Sequence, residues 1–276
     1  MIKLAKKLLV SFFLLFSLYV YARFIEPSWL QINEYSIQHP LIQEGFKNLT
    51  IVQFSDTHLG HYYNIADLQH IINKINSFQP DIVFFTGDLI DQPNVYTDAN
   101  LIPEVLKQLN APLGKFAVYG NHDHGGYGTE IYEQVLEDSN FTLLVNETRS
   151  ITLLDGSTFN IVGIDDAMFK REDFTLATSK LNTNSYSILL AHEPDVFEVA
   201  VNYSIDLQLS GHSHGGQIQI PFVGPLITPP QATTYYEGFY ELKSAKLYVN
   251  RGLGTTRLPY RFLARPEITV FHFEPQ

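Results

Sequence analysis

The chain has 276 residues, 45% hydrophobic and 17% charged, with 20 Phe, 16 Tyr and no Cys. That apolar content excludes an intrinsically disordered chain, and the absence of cysteine excludes disulfides, thiolate nucleophiles and Cys-ligated metal sites. The formal charge is −11, but residues 1–26 hold Lys3, Lys6, Lys7 and Arg23 against Glu26, a net +3 that leaves −14 on the remainder.

So acidic a body is not expected to bind nucleic acid, because neutralising phosphate takes Lys and Arg. If it handles phosphate, cations other than side chains must supply the positive charge.

In chain order, the first element is a basic flank followed by the uncharged, Leu- and Phe-rich stretch 8–22. This is the pattern of a signal anchor or signal peptide. A spanning helix takes about 20 apolar residues, and this one approaches that length if Arg23 snorkels and Phe24 and Ile25 are included. Val20-Tyr21-Ala22 also resembles a small-residue cleavage site. The expected division is 1–26 as signal anchor or signal peptide, 27–44 as linker and first strand, and 45–276 as one main domain without an internal linker. The positive-inside rule places that domain outside the cytoplasm, held at the cell membrane as a single-pass or peripheral protein. Release after cleavage near Ala22 is the alternative.

Past a strand near 30–37, residues 49–54 read as a buried strand ending at Ser55-Asp56. Ile65, Leu68, Ile71, Ile72, Ile75 and Phe78 recur at helical spacing, and Pro80 ends that helix. Residues 82–86 form an apolar strand ending at Gly87-Asp88. A second helix carries Leu101, Ile102, Val105, Leu106 and Leu109, and the strand 116–119 ends at Gly120-Asn121. This alternation predicts a parallel α/β sheet. After a third helix around Ile131–Leu136, strands are expected at 141–145, 151–154, 159–164, 187–190, 207–209, 217–220, 236–242, 247–250 and 268–273. The second half is therefore mostly β, and the body is one α/β domain on two sheets.

Ligands in open α/β sheets bind at the carboxyl ends of strands. Those ends carry Asp56-Thr57-His58, Gly87-Asp88-Leu89-Ile90-Asp91, Gly120-Asn121-His122-Asp123, Ala191-His192-Glu193 and Gly211-His212-Ser213-His214. Asp56 and Asp88 lie 32 residues apart, and Asp88 and Asn121 lie 33 apart. That is one strand-plus-helix unit each time, which returns the chain to the same sheet edge. Taken alone, the first four patterns read more readily as a turn or an ordinary histidine, and only Gly211–His214 does not, but all five at strand ends point to a shared site. Carboxylates, an amide oxygen and imidazoles form an N/O donor set suited to Mn, Fe, Zn or Co. Asp88, on the middle strand of the three, is placed to bridge two cations, and such a pair can bind a bridging hydroxide and clamp a phosphate for in-line attack.

The ordered set D-x-H, G-D-x-x-D, G-N-H-[D/E], H and G-H-x-H, spanning Asp56 to His214, resembles the calcineurin-like metallophosphoesterases. The resemblance implies a four-layer α/β/β/α sandwich of two mixed sheets, here preceded by an apolar targeting helix. It implies that Asp56, His58 and His214 with bridging Asp88 hold one metal, and that Asn121, His192 and His212 with Asp88 hold the other. Mn is favoured for both ions over Fe or Zn. His122 matches the catalytic histidine that assists the leaving oxygen, and Asp91 the carboxylate that orients it. Ile25-Glu26-Pro27, Gly211–Ile218 and Asn250-Arg251-Gly252-Leu253-Gly254 further resemble membrane-associated bacterial phosphodiesterases, some of which are UDP-2,3-diacylglucosamine pyrophosphatases.

The expected activity is thus hydrolysis of a phosphodiester or pyrophosphate in a cell-envelope, lipid-linked or nucleotide-sugar substrate, with a metal-bridging hydroxide as nucleophile. The alternatives are a phosphomonoesterase or protein phosphatase with the same centre, and a non-catalytic scaffold of the same fold. Four arginines, Arg251, Arg257, Arg261 and Arg265, cluster in one short segment and read either as phosphate or headgroup contacts or as a locally paired loop. Tyr62, Tyr63 and the loop Gly125-Gly126-Tyr127 either shape a substrate pocket or are ordinary loop aromatics.

Overall fold

The computed structural model describes residues 2–124 and 129–276; the loop Gly125-Gly126-Tyr127 lies outside the described residues. In chain order the strands are β1 (Gln31–His39), β2 (Thr50–Phe54), β3 (Ile82–Phe85), β4 (Gly114–Ala117), β5 (Thr142–Leu143), β6 (Glu147–Thr152), β7 (Thr158–Gly163), β8 (Ser187–Leu190), β9 (Leu207–Ser210), β10 (Gln219–Ile220), β11 (Gly224–Pro225), β12 (Gly238–Leu242), β13 (Ala245–Val249) and β14 (Glu267–Pro275). The helices that matter here are α1 (Ile2–Val20), α2 (Ile65–Asn76), α3 (Ile102–Leu106), α4 (Asn121–His124) and α5 (Thr129–Asp138).

The strands form two six-stranded mixed sheets, ordered β1-β14-β2-β3-β4-β5 and β12-β13-β9-β8-β7-β6, plus a separate β10–β11 hairpin. Side-chain alternation explains how the sheets stack. Ile82 and Phe84 of β3 face a core shared with Ile188 and Leu190 of β8, whereas Val83 and Phe85 face the helices outside. In the same way, Ile161 of β7 points between the sheets, while Val162 joins a cluster with Phe174, Ala177 and Ala200 on the far side. Helices outside each sheet complete the four-layer α/β/β/α sandwich.

The first outer layer is set by α2, which buries Leu68, Ile71, Ile72 and Ile75. Its start is fixed by a reciprocal cap: Asn64 Oδ1 accepts from the Asp67 amide, and the Asp67 carboxylate accepts from the Asn64 amide. Such a cap contributes about 1 kcal/mol and phases the apolar face onto the sheet.

Register then levels the strand ends. Phe54 pairs with Phe85, and Phe85 with Ala117, in parallel ladders; Leu190 pairs with Leu209 in the second sheet. The chain therefore leaves β2, β3 and β4 at one height on one sheet, and β8 and β9 at one height on the other. At the opposite end of the chain, β1 hydrogen-bonds along β14, which itself enters antiparallel to β2.

Candidate metal centre

Every strand end named above opens onto the same rim. Asp56 and His58 follow β2, Asp88 follows β3, Asn121 and His122 begin α4 after β4, His192 follows β8, and His212 and His214 follow β9. The turns after β2 and β3 are stitched together: Asp56 N donates to Gly87 O (2.9 Å), His58 N to Asp88 O (3.2 Å), and Leu59 pairs with Ile90 beyond them. The two sheets are joined at His212, whose amide donates to the Asp56 carboxylate at 3.0 and 3.1 Å. Gly211 is required beside it, because a Cβ there would overlap the Asp56 carboxylate.

The side chains converge in two groups. Asp56, His58 and His214 form one, and Asp88, His192 and His212 the other, each with its donor atoms within 4.8 Å of one another. Asp88 Oδ2 stands between them, 3.4 Å from His58 Nε2 and 3.3 Å from His192 Nε2. His214 Nε2 lies 3.3 Å from Asp56 Oδ1 and 3.0 Å from His58 Nε2, and His212 Nδ1 lies 3.2 Å from His192 Nε2. All six are buried. Asn121, half-buried, lines the same cavity as Asp88 and His212, and its Oδ1 has no partner among the described residues.

Backbone strain marks the same residues. Asp56, His58, Asp88, His212 and His214 all have φ between 45° and 67°, a left-handed region uncommon for side-chain-bearing residues. Such conformations cost free energy and cluster where side-chain placement is imposed by function.

The electrostatics explain how so polar a cluster stays buried. Burial pushes the His58 imidazole down, but the Asp56 and Asp91 carboxylates more than offset this and hold it at about 10. Burial and then the neighbouring His192 push His212 down to about 4, and burial dominates the lowering of His214. Burial opposes ionisation of Asp88, yet the surrounding histidines keep it well below the usual carboxylate range. In each facing imidazole pair, the neighbouring carboxylates push one ring up while burial pushes its partner down.

These residues fit divalent cations. The donor set is the N/O mixture that first-row metals favour. His192 and His212 each engage their outer nitrogen with a main-chain carbonyl, Thr86 O at 2.6 Å and Pro230 O at 2.8 Å, so the inner nitrogen faces the cluster. That carbonyl bond is the usual device for orienting a ligating histidine.

His122 sits beside the cluster, with its ring centroid 4.6 Å from that of His58 and its amide donating to Asp88 Oδ1. Sequence reasoning assigned its orientation to the Asp91 carboxylate. The nearest partner of its Nδ1 is instead the Asp91 main-chain carbonyl at 2.7 Å. The carboxylate stands between two rings, 3.6 Å from His122 Nδ1 and 3.4 Å from His58 Nδ1.

Two residues named in the sequence take supporting roles that it did not assign to them. Asp123 accepts from the amides of Gly120, Asp88 and Leu89, clamping two metal-motif turns together; burial and the nearby Asp88 charge raise it to about 7. Arg261, wholly buried, donates to the carbonyls of Arg251, Gly252, Gly254 and Ala264 and approaches His214 Nδ1 at 3.4 Å. It supports the loop that packs Gly252 and Gly254 onto Asp56 and Thr57.

Among the other arginines, Arg251 is paired with Glu267, and Arg265 stacks on Trp29. Arg257 alone of the four lines the cavity. Tyr62 and Tyr63 line a separate hollow beside Arg23 and Phe24.

The cavity over the cluster measures about 520 Å³. His58, Asp88, Asn121 and His122 lie in its floor, and Met168, Ile218, Leu226, Ile227, Pro230 and Leu258 make much of its wall.

Two stacked mixed sheets that bring an Asp, His and Asn donor set to one rim define a metal-dependent phosphoester hydrolase. Residues 49–216 match the family described as calcineurin-like phosphoesterase, and the chain belongs to that family. It is similar to the uncharacterized metallophosphoesterase YkuE of Bacillus subtilis, 49% identical over 92% of this chain and 88% of that one. It is also similar to the UDP-2,3-diacylglucosamine pyrophosphatase LpxG of Chlamydia trachomatis, 31% identical over 93% of this chain and 94% of that one. An uncharacterized metallophosphoesterase of Aquifex aeolicus is 32% identical over 89% and 92% of the two chains.

Proposed function

We propose that the chain hydrolyses a phosphodiester or pyrophosphate bond in an amphiphilic envelope substrate, lipid-linked or nucleotide-sugar, on the outer side of a membrane that its N-terminal helix spans. One observation carries this reading: two Asp/His clusters meet at Asp88 Oδ2 beneath a cavity with an apolar wall. A polar floor suits the phosphate and an apolar wall suits an attached hydrocarbon. The likeness to a protein named as a diacylglucosamine pyrophosphatase supports the same substrate class.

In this reading Asp56, His58 and His214 with Asp88 hold one divalent ion, and Asn121, His192 and His212 with Asp88 hold the other, Mn being favoured. When bound, the ions supply the positive charge that a phosphate requires in this acidic body. The protein's own groups do the rest. His122, held through Nδ1, presents Nε2 to protonate the departing oxygen, while Asp91 keeps that imidazole and His58 oriented. Arg257, exposed at the rim, is placed to receive an anionic group of the substrate.

The membrane part rests on α1 and the two short helical turns after it, a stretch from Ile2 to Ser28 long and apolar enough to cross a bilayer. Three lysines at its start support an orientation with the N-terminus inside.

The test compares bis(p-nitrophenyl) phosphate with p-nitrophenyl phosphate under added Mn, together with metal analysis of the purified chain. Faster diester turnover supports the reading. Equal or faster monoester turnover would assign a monoesterase, and material that takes up no transition metal would remove the mechanism.

A further inference from the structure

The anchor helix does not leave the body freely. Arg261 N donates to Ala22 O at 2.9 Å, and Ala264 N donates to the buried Glu26 carboxylate at 2.6 Å. Tyr19 lies against Tyr260 with ring centroids 6.0 Å apart, and Tyr21 sits edge-on to Phe262 at 6.1 Å. Segment 258–263 is therefore packed beside the last turns of the helix, at the depth where a membrane protein places its aromatic residues.

The β10–β11 hairpin hangs from that same segment, through Phe262 N to Gln217 O and Gln219 N to Phe262 O, at 2.8 and 2.9 Å. Its tip is unusual for a water-facing turn. Phe222 is fully exposed, Val223 and Ile227 are more than three-quarters exposed, and Leu226 and Leu258 more than half. No charged residue occurs between Gly215 and Tyr236. A contiguous exposed apolar surface marks an interaction site, and its continuity with the anchor identifies the partner as lipid.

We infer that the β10–β11 hairpin is a second membrane-contacting element, whose Phe222-Val223 tip enters the lipid interface beside the anchor and holds the mouth of the catalytic cavity at the bilayer surface. The inference rests on the anchor reading above. In consequence, a lipid-linked phosphate reaches the metal centre by lateral entry rather than from bulk water.

The test uses the full chain with Trp29→Phe as background, carrying either Phe13→Trp on the anchor or Phe222→Trp on the hairpin. Each is reconstituted in phosphatidylcholine–phosphatidylglycerol vesicles with brominated acyl chains, and tryptophan quenching is read against unbrominated vesicles. Quenching of both positions is expected. Quenching at 13 without quenching at 222 overturns the hairpin inference and leaves the anchor intact, whereas no quenching at 13 removes the anchor reading and the inference with it. A Phe222→Asp, Val223→Asp variant should keep its melting temperature and its turnover of bis(p-nitrophenyl) phosphate in detergent. Its turnover of a vesicle-embedded polyprenyl pyrophosphate should fall by about tenfold. Unchanged turnover of that embedded lipid would also count against the inference.

Discussion

Two segments rich in ionisable groups follow neighbouring strands, and they are used in opposite ways. After β9, Gly211-His212-Ser213-His214 turns both imidazoles toward the carboxylates Asp56 and Asp88, on backbone held at positive φ. After β13, Asn250–Arg265 turns its arginines mostly into the protein: Arg251 onto Glu267, Arg261 onto a ring of carbonyls, and Arg265 onto Trp29. The histidine segment presents electron pairs to a site, whereas the arginine segment consumes its donors in bracing that site from behind. Side-chain chemistry explains the division, since a guanidinium has five donors and no acceptor, and so can tie several carbonyls at once but cannot ligate a cation. Charge density at a strand end is therefore no guide to function until the direction of its hydrogen bonds is known.

Four substitutions sharpen or break this contrast. Asp88→Asn should have the largest effect, lowering diester turnover by about 10³-fold, or about 4 kcal/mol of barrier. The fold should persist by circular dichroism while metal content falls, and undiminished turnover would put the chemistry elsewhere. Arg261→Met comes next. It strands a set of buried carbonyls and should cost about 3 kcal/mol in denaturant unfolding, far more than a surface arginine. A variant of wild-type stability would show that the arginine segment does not brace.

Asp123→Asn replaces a carboxylate that accepts three amide hydrogens with a group whose single carbonyl oxygen can serve only part of them. About 2 kcal/mol of stability should be lost, measured by chemical denaturation. The smallest effect belongs to Arg257→Ala. It should raise KM for an anionic substrate by about tenfold without moving the melting temperature, and a loss of stability instead would place Arg257 with the bracing arginines.

Much of the centre was legible in the sequence because its parts repeat a local rule. A buried strand ends, a Gly-Asp or Gly-Asn turn follows, and the next such turn comes one strand-plus-helix unit later. Asp56, Asp88 and Asn121 obey that rule, and parallel register does the rest. What stayed hidden depends on partners distant in sequence. Nothing in 31–39 announces that β1 pairs with the chain's final strand, since alternation reveals a face and not a neighbour. The main-chain carbonyl of Asp91 took the place next to His122 that its carboxylate was expected to fill, a matter of turn conformation that residue identity does not encode. Asp123 and Arg261 were invisible as supports for a related reason: their partners are backbone amides and carbonyls, which every residue possesses.

The junction at Ala22 has a consequence for how the molecule is made. Its carbonyl is bonded to Arg261, its side chain is buried, and Glu26 four residues on is sealed beneath Ala264. A processing peptidase needs an extended, accessible peptide bond, so it can cut here only before these contacts close. If a signal peptidase acts near Ala22, tethering or release would be decided during synthesis, by a race between maturation of the globule and arrival of the protease. In that case a mutation that slows closure of the joint would shift the outcome with no change at the metal centre.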